Sequence, residues 1–249
     1  MLTLDALRTA RGVARSLRIY YRGKARRAVM DDFYRRFVKR GDLVFDIGAH
    51  VGDRVGSFRR LGARVVAVEP QHALATTLKL IYGRDRAVTI ERAAVGRREG
   101  TIEMKINTDN PTISTASDEF IHSSRGAPGW QGQRWNKTVS VPMTTLDALI
   151  ARHGRPAFIK IDVEGFEAEA LAGLSVPPPA LSFEFTTIQR DVAAACLARS
   201  AALGFKTFNA VLGESLEFQW PKDVPADEIG RWIETLPAEA NSGDIYAAL

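Results

Sequence analysis

Past residue 40 the chain alternates short apolar runs rich in β-branched residues with longer stretches of helical period. The apolar runs predict strands at 43–47, 65–68, 88–92, 101–106, 139–143, 158–161, 181–185, 206–209 and 245–248. Between them, 52–61, 72–81, 145–152, 167–174 and 191–203 carry the helical pattern. Such alternation predicts an α/β fold with a largely parallel sheet, because parallel neighbours are joined by crossover helices that cover both faces. Upstream, Leu4, Leu7, Val13, Leu17, Ile19, Tyr20 and Tyr21 are interleaved with Arg8, Arg11, Arg15, Arg18 and Arg22, which predicts a helical segment with a basic face. Residues 107–137 have no clear period, are rich in Ser, Thr, Gly, Asn and Pro, and include Trp130 and Trp135. A loop this long inside a compact domain, with two tryptophans, predicts a lid or an acceptor-binding loop.

The stretch DLVFDIGAHVGDRVGSFRRLGARVVAVEP (42–70) holds a nucleoside half-site in one run. A strand ends in Asp46 and a turn containing Gly48 and Gly52, a helix follows, and a second strand ends in Glu69, 23 positions after Asp46. Glycines let the backbone turn sharply and lie against a ligand, and the next helix aims free N–H groups at it. A carboxylate at the tip of the second strand is placed to accept hydrogen bonds from a ribose diol. The turn lacks the G-x-G-x-x-G spacing, with His50 where a middle glycine might stand. An acid at this position suits a cationic ligand such as S-adenosylmethionine, with its ammonium and sulfonium, better than a pyrophosphate.

With 249 residues, 45% of them hydrophobic, the chain can bury the core of one good-sized domain plus an appendage. Cys196 is the sole cysteine, which excludes an internal disulfide and a cysteine zinc site and points to a reducing compartment. No apolar run is long enough to span a membrane, and arginines stand where a signal peptide would need an apolar stretch, so a cytoplasmic protein is expected. The net charge of +5 is unevenly held: residues 1–40 contain 12 Lys and Arg against three acids, leaving 22 basic and 26 acidic residues for the remainder. The basic segment could meet an anionic membrane, a polyanionic glycan or another subunit, or could be a solvated helix packed by its other side. Nucleic acid is not expected, since no recognition motif accompanies the charge.

A second constellation follows the strand at 158–161: Asp162-Val163-Glu164-Gly165-Phe166-Glu167 opens a helix. Ligands of open parallel sheets bind beyond the carboxyl ends of the strands, so Asp162 should enter the same crevice as Asp46. Here the chain resembles the FkbM-type S-adenosylmethionine-dependent methyltransferases. The resemblance rests on DIGAHVG (46–52), VVAVEP (65–70), AAVG (93–96), VPMTTLDAL (141–149), IKIDVEGFEAEALAGL (159–174), SFEF (182–185) and the closing GDIYAAL, and covers residues 31–249. The family usually has Asn where this chain has His50 and a small residue where it has Phe166.

The resemblance implies a Rossmann-like class I methyltransferase fold: a mostly parallel seven-stranded sheet with helices on both faces and a C-terminal antiparallel strand pair. With the charge split at residue 40, the chain divides into a basic helical segment (1–40) and a methyltransferase domain (41–249). The resemblance also implies cofactor roles. Asp46, Ile47, Gly48, Ala49, His50, Val51 and Gly52 would hold the methionine end, Glu69 the ribose, Pro70 and Gln71 the adenosine, and Arg92, Ala93 and Ala94 would approach the adenine. Asp162 would sit near the amino group or the transferred methyl. The activity implied is O-methylation of a hydroxyl on a sugar, glycan precursor or other small metabolite. Two other readings stand beside it: a nicotinamide-dependent oxidoreductase, on the same turn and acid, and a non-catalytic binding module. A homo-oligomer is a further expectation.

Methyl transfer to an alcohol needs alignment, exclusion of water and a proton acceptor. Asp162 is the first candidate, since it ends a strand at the cofactor edge; Glu184 and Glu164 follow, then His50, while His122 and His153 are weaker. Glu164 could equally charge a helix N-terminus and Glu184 pair with an arginine. Asp162 and Glu164 lack a clear third ligand in the sequence, so no metal is expected.

Overall fold

The computed structural model describes residues 4–21 and 23–249. Arg22, counted above in the basic face, lies outside the described residues. Two helices, α1 (Leu4–Tyr20) and α2 (Lys24–Tyr34), precede the first strand, β1 (Leu43–Ile47). Every residue of β1 is buried, as expected of a parallel strand covered on both faces. Its alternation feeds two cores: Leu43, Phe45 and Ile47 point into one, Val44 into the other.

The chain continues through α3 (Asp53–Arg60), β2 (Arg64–Val68), α4 (His72–Tyr82), β3 (Val88–Glu91), β4 (Ala94–Val95), β5 (Gly100–Ile106), α5 (Asp118–Ser124) and β6 (Lys137–Thr144). It then forms α6 (Leu146–His153), β7 (Phe158–Ile161), α7 (Glu167–Ala172), β8 (Ala180–Thr186), α8 (Arg190–Ala202), β9 (Thr207–Leu212), α9 (Ala226–Thr235) and β10 (Ser242–Ala248). Seven strands make the main sheet, in the order β3-β2-β1-β7-β8-β10-β9. All neighbours are parallel except β10, which runs antiparallel to β8 and to β9. This is the Rossmann-like arrangement with a C-terminal antiparallel pair that the resemblance implied.

One core lies under α6, α7, α8 and α9, through Leu149, Leu171, Cys196 and Ile233 among others. The opposite core joins the sheet to α2, α3 and α4 through Met30, Phe33, Tyr34, Phe58 and Leu78. Packing is continuous across residue 40, since Val38 of the linker is buried in this second core with α2. Fully burying side chains such as Phe58 or Phe158 contributes ~2–3 kcal/mol each, which is what fixes α2 and α3 on the sheet.

Periodicity located β5 and β6 but could not assign them to a sheet. They pair antiparallel with each other, and β6 pairs parallel with β4, in a separate three-stranded sheet. The aperiodic stretch 107–137 has a core of its own, in which Ile113, Phe120 and Trp130 cluster with Trp135 against them. The Trp135 indole N–H donates to the Ile113 carbonyl at 2.8 Å, and Ser117 caps α5 by accepting from the Phe120 N–H. Among the described residues no helix is long and apolar enough to cross a membrane.

Candidate active site

Strand order reverses between β1 and β7, and the carboxyl ends of β1, β2 and β7 converge there on one cavity. Its empty volume, including the space at its mouth, is about 860 Å³, a size that holds a nucleoside-containing ligand. Asp46, Ile47, Gly48, Ala49 and His50 line it, together with Glu69, Pro70 and Gln71 from the end of β2. Ala93, Ala94, Asp162 and Glu164 also line it.

Strand alternation sets the charges. Asp46 lies two residues beyond Val44, and Lys160 two beyond Phe158, so both project from the sheet face that carries α2 and α3. The two stand in register on neighbouring strands. The Lys160 ammonium nevertheless donates to Asp162 Oδ2 at 2.6 Å, and Asp46 Oδ2 is buried without a hydrogen-bond partner. Burial raises the Asp46 pKa to about 7, against the nearby Lys160 charge that favours ionisation. Asp162 has the opposite balance: burial raises its pKa, but Lys160 holds it below the usual carboxylate range. Burial likewise opposes the charge on Lys160, and Asp162 keeps its pKa well above the usual lysine value.

Glu69 is 3% exposed, and its two oxygens accept the His50 N–H at 3.0 Å and the Gln71 N–H at 2.8 Å. Burial still raises its pKa to about 8 despite these donors. Each oxygen keeps a lone pair for a further donor. Gly48 has φ 83°, and a Cβ there would fall 1.8 Å from the Asp162 carbonyl oxygen. The turn after β1 and the tip of β7 are therefore in backbone contact, which only glycine permits.

The structure brings together carboxylates that the sequence left apart. Oxygens of Asp162, Glu164 and Glu184 all lie within 4.8 Å of one another, so Glu184 supplies the third acid that Asp162 and Glu164 lacked in the sequence. Burial, and then the Asp162 charge, push Glu164 and Glu184 well above the usual range. Glu184 Oε2 is buried without a partner.

Four expected site residues do not line the cavity. Val51 and Gly52 are drawn into helix packing: the Val51 carbonyl accepts from the Tyr21 hydroxyl at 2.9 Å and the Gly52 carbonyl from the Tyr82 hydroxyl at 2.6 Å. Arg92 is exposed and points to His72 Nδ1 at 3.0 Å. Glu184 reaches the carboxylate cluster but not the cavity wall. His50 has φ 50° and lies 3.3 Å from the Thr112 hydroxyl, and burial lowers its pKa to about 4, leaving a neutral imidazole. His153 is bound to Glu91 at 2.8 Å.

Sequence reading missed Tyr20, Asp53, Arg54, Thr112, Lys160 and Glu214, all of which line the cavity. The signal for Lys160 was a charged residue inside an apolar strand, a rare position unless it is paired. Tyr20 arrives from α1, with its ring edge-on to His50 at 5.4 Å. Arg54 bridges Asp53 at 2.5 Å and Glu214 at 2.6 Å, and Arg26 joins Glu214 at 2.8 Å. Burial opposes the Arg54 charge, but the two carboxylates raise its pKa well above the ordinary value.

The sequence profile of the methyltransferase FkbM domain matches residues 46–236. The chain belongs to that family. As an FkbM methyltransferase it uses S-adenosylmethionine as methyl donor, and the nicotinamide reading gives way. The cavity suits that cofactor, since a buried unpaired carboxylate fits its ammonium and the free lone pairs of Glu69 fit a ribose. No curated protein matches the chain in sequence. Among solved structures, similarity is found to precorrin-6y C5,15-methyltransferase from Geobacter metallireducens GS-15, with TM-score 0.44 and 11% identity over 89% of this chain and 86% of that one. A TehB-like SAM-dependent methyltransferase from Corynebacterium glutamicum gives TM-score 0.43 and 12% identity over 88% and 86%. Fibrillarin from Aeropyrum pernix, solved with natively bound S-adenosyl-L-methionine, gives TM-score 0.43 and 10% identity over 85% and 68%.

Proposed function

We propose that this FkbM methyltransferase methylates a hydroxyl of a sugar, glycan precursor or other small metabolite. The observation that carries the reading is the division of labour between two cavity-lining acids: Asp46 is buried and unpaired, whereas Asp162 is held ionised by Lys160 and its side chain is 34% exposed. Asp46 would hold the cofactor's ammonium end, Glu69 the ribose, and Ala93 and Ala94 would leave room for the adenine. When bound, the cofactor supplies an electrophilic methyl carbon whose leaving group is a neutral thioether, so no general acid is needed.

Asp162 is the proton acceptor that this arrangement favours. As the acceptor's O–C bond forms, its O–H becomes strongly acidic, and a carboxylate kept ionised at neutral pH is sufficient to take the proton. Glu164 and Glu184 hold protons more tightly and so make poorer acceptors in their resting state. His50 is also unprotonated at neutral pH, with a pKa of about 4, but its Nε2 is engaged with the Thr112 hydroxyl at 3.3 Å, so it serves as part of the wall. Lys160 is a positioning residue, since it fixes Asp162 and its charge.

The test is mass spectrometry of purified protein with S-adenosylmethionine and a panel of nucleotide sugars and glycan precursors, with and without a chelator. The expected result is gain of one CH₂ on an acceptor oxygen, located by fragmentation. Transfer only to nitrogen or carbon acceptors would overturn the O-methylation reading.

A further inference from the structure

The outer face of α1 is built against the usual logic of a surface helix. The residues it buries are Gly12 and Ser16, and a Cβ on Gly12 would come 2.6 Å from the Pro111 ring, so the helix lies close against the turn that follows β5. Val13, Leu17 and Tyr20 are half-buried on that side, but three other large apolar side chains are left outside: Leu4 is 76% exposed, Leu7 43% and Ile19 53%. A helix that needed only to pack on the domain would turn these inward.

Arg8, Arg11, Arg15 and Arg18 are exposed on the same face. At 100° per residue they fall within an arc of about 80°, with Leu4 inside that arc and Leu7 and Ile19 on its two flanks. None of the four guanidinium groups is in an ion pair or hydrogen bond with another described residue, although Asp5 lies on the same helix. The neighbouring helix α4 adds two more exposed apolar side chains, Leu80 at 82% and Ile81 at 41%.

We propose that this face of α1 docks on an anionic lipid surface. Arginine guanidinium groups would pair with lipid phosphates and carboxylates while Leu4, Leu7 and Ile19 enter the interface, the division of labour of an amphipathic helix lying in the headgroup plane. A soluble polyanion complements the arginines equally well but gives the exposed leucines nothing to enter, which is why a lipid surface is the better fit. Through Tyr20 the last turn of α1 forms part of the cavity wall, so docking holds the methyl-transfer site within one helix length of the bilayer.

The experiment is co-sedimentation of the full chain with vesicles of phosphatidylcholine alone and with about 30% phosphatidylserine, at low and about 0.5 M salt, alongside heparin affinity. The expected result is binding to the anionic vesicles only, weakened by salt. Binding should fall about tenfold in Arg8→Glu/Arg15→Glu and also fall in Leu4→Ser/Leu7→Ser. All these positions are exposed and outside the cofactor cavity, so S-adenosylhomocysteine affinity and the circular dichroism spectrum should be unchanged, which separates loss of docking from loss of folding or of the cofactor site. No binding to anionic vesicles overturns the proposal. So does equal binding to neutral vesicles, or heparin binding that the leucine variant leaves intact while vesicle binding is absent.

Discussion

Lys160 stands in register with Asp46 on the adjoining strand but gives its ammonium to Asp162, two residues further along the chain and just past the end of β7, at 2.6 Å. One lysine thereby makes two acids unlike. Asp162 is ionised and ready, while Asp46 is buried, unpaired and titrates at about 7. The cavity wall thus carries an acid whose charge no cation of the protein pairs, which is the feature that the proposed role of Asp46 in holding a cationic cofactor rests on.

In this arrangement the Asp46 carboxyl costs stability. Its folded pKa lies above the unfolded value of 3.8, so its unfavourable contribution grows as pH rises from about 4 and is complete above about 7. Asp46→Asn is expected to leave the empty protein more stable at pH 8, by about 1–4 kcal/mol, and to weaken S-adenosylhomocysteine by more than about tenfold. Thermal denaturation and calorimetry on the same variant check both halves.

Cofactor affinity should rise with pH through about 7. A cation held by Asp46 favours the ionised carboxylate, so binding below pH 7 must expel a proton from it. Calorimetric titrations in buffers of different ionisation enthalpy should show proton release near pH 6 and little release from Asp46 above pH 8. An affinity that falls with pH over this range would contradict the assignment.

Removing the counter-ion should act on Asp162. Lys160→Met is expected to destabilise the protein by about 2–3 kcal/mol at neutral pH, less than for a fully buried pair because the Asp162 side chain is 34% exposed. The Asp162 pKa is depressed in the folded state, so the stability it contributes is present above its unfolded value and is lost as pH falls through the folded one. The gap between wild type and variant should therefore narrow in acid. The acidic limb of the pH–rate profile should move to higher pH in the variant, a shift that a purely structural role would not produce.

Two members of the charge network at the cavity should differ sharply. The Arg54 side chain is 8% exposed and binds both Asp53 and Glu214, so Arg54→Met leaves the buried Asp53 carboxylate with only the longer Arg26 contact at 3.4 Å and should cost about 2–3 kcal/mol. The Glu214 side chain is 50% exposed, and Glu214→Gln should cost less than about 1 kcal/mol. Chemical denaturation of the two variants measures the contrast.

Tyr20 contributes wall and little core. Tyr20→Ala should weaken S-adenosylhomocysteine about tenfold by opening the cavity beside His50, with the folding midpoint nearly unchanged. A large loss of stability with unaltered affinity would show that the ring only anchors α1.

The order strand, glycine turn, helix, strand, acid over 43–69 was readable because every part of it is local. Period, turn chemistry and strand length all act within a few residues, and the parallel packing rule then brings Asp46, Glu69 and Asp162 to one edge. Helix α2 was legible only as part of the basic helical segment 1–40, without its own bounds, and α9 not at all, although Met30, Phe33 and Tyr34, and Ile229, Trp232 and Ile233, carry helical spacing, because each pattern is short and set among charges.

By itself the sequence determined the α/β sheet, the sheet edge at which Asp46, Glu69 and Asp162 meet and the family to which the chain belongs, since these follow from contiguous patterns. Tertiary structure alone decided which acid Lys160 neutralises, that Glu184 meets Asp162 and Glu164, that Tyr20 closes the wall beside His50, and that β4, β5 and β6 form a sheet apart. The reason is physical: charge and burial depend on which side chains meet across strands and helices far apart in the chain, and no local period records those meetings.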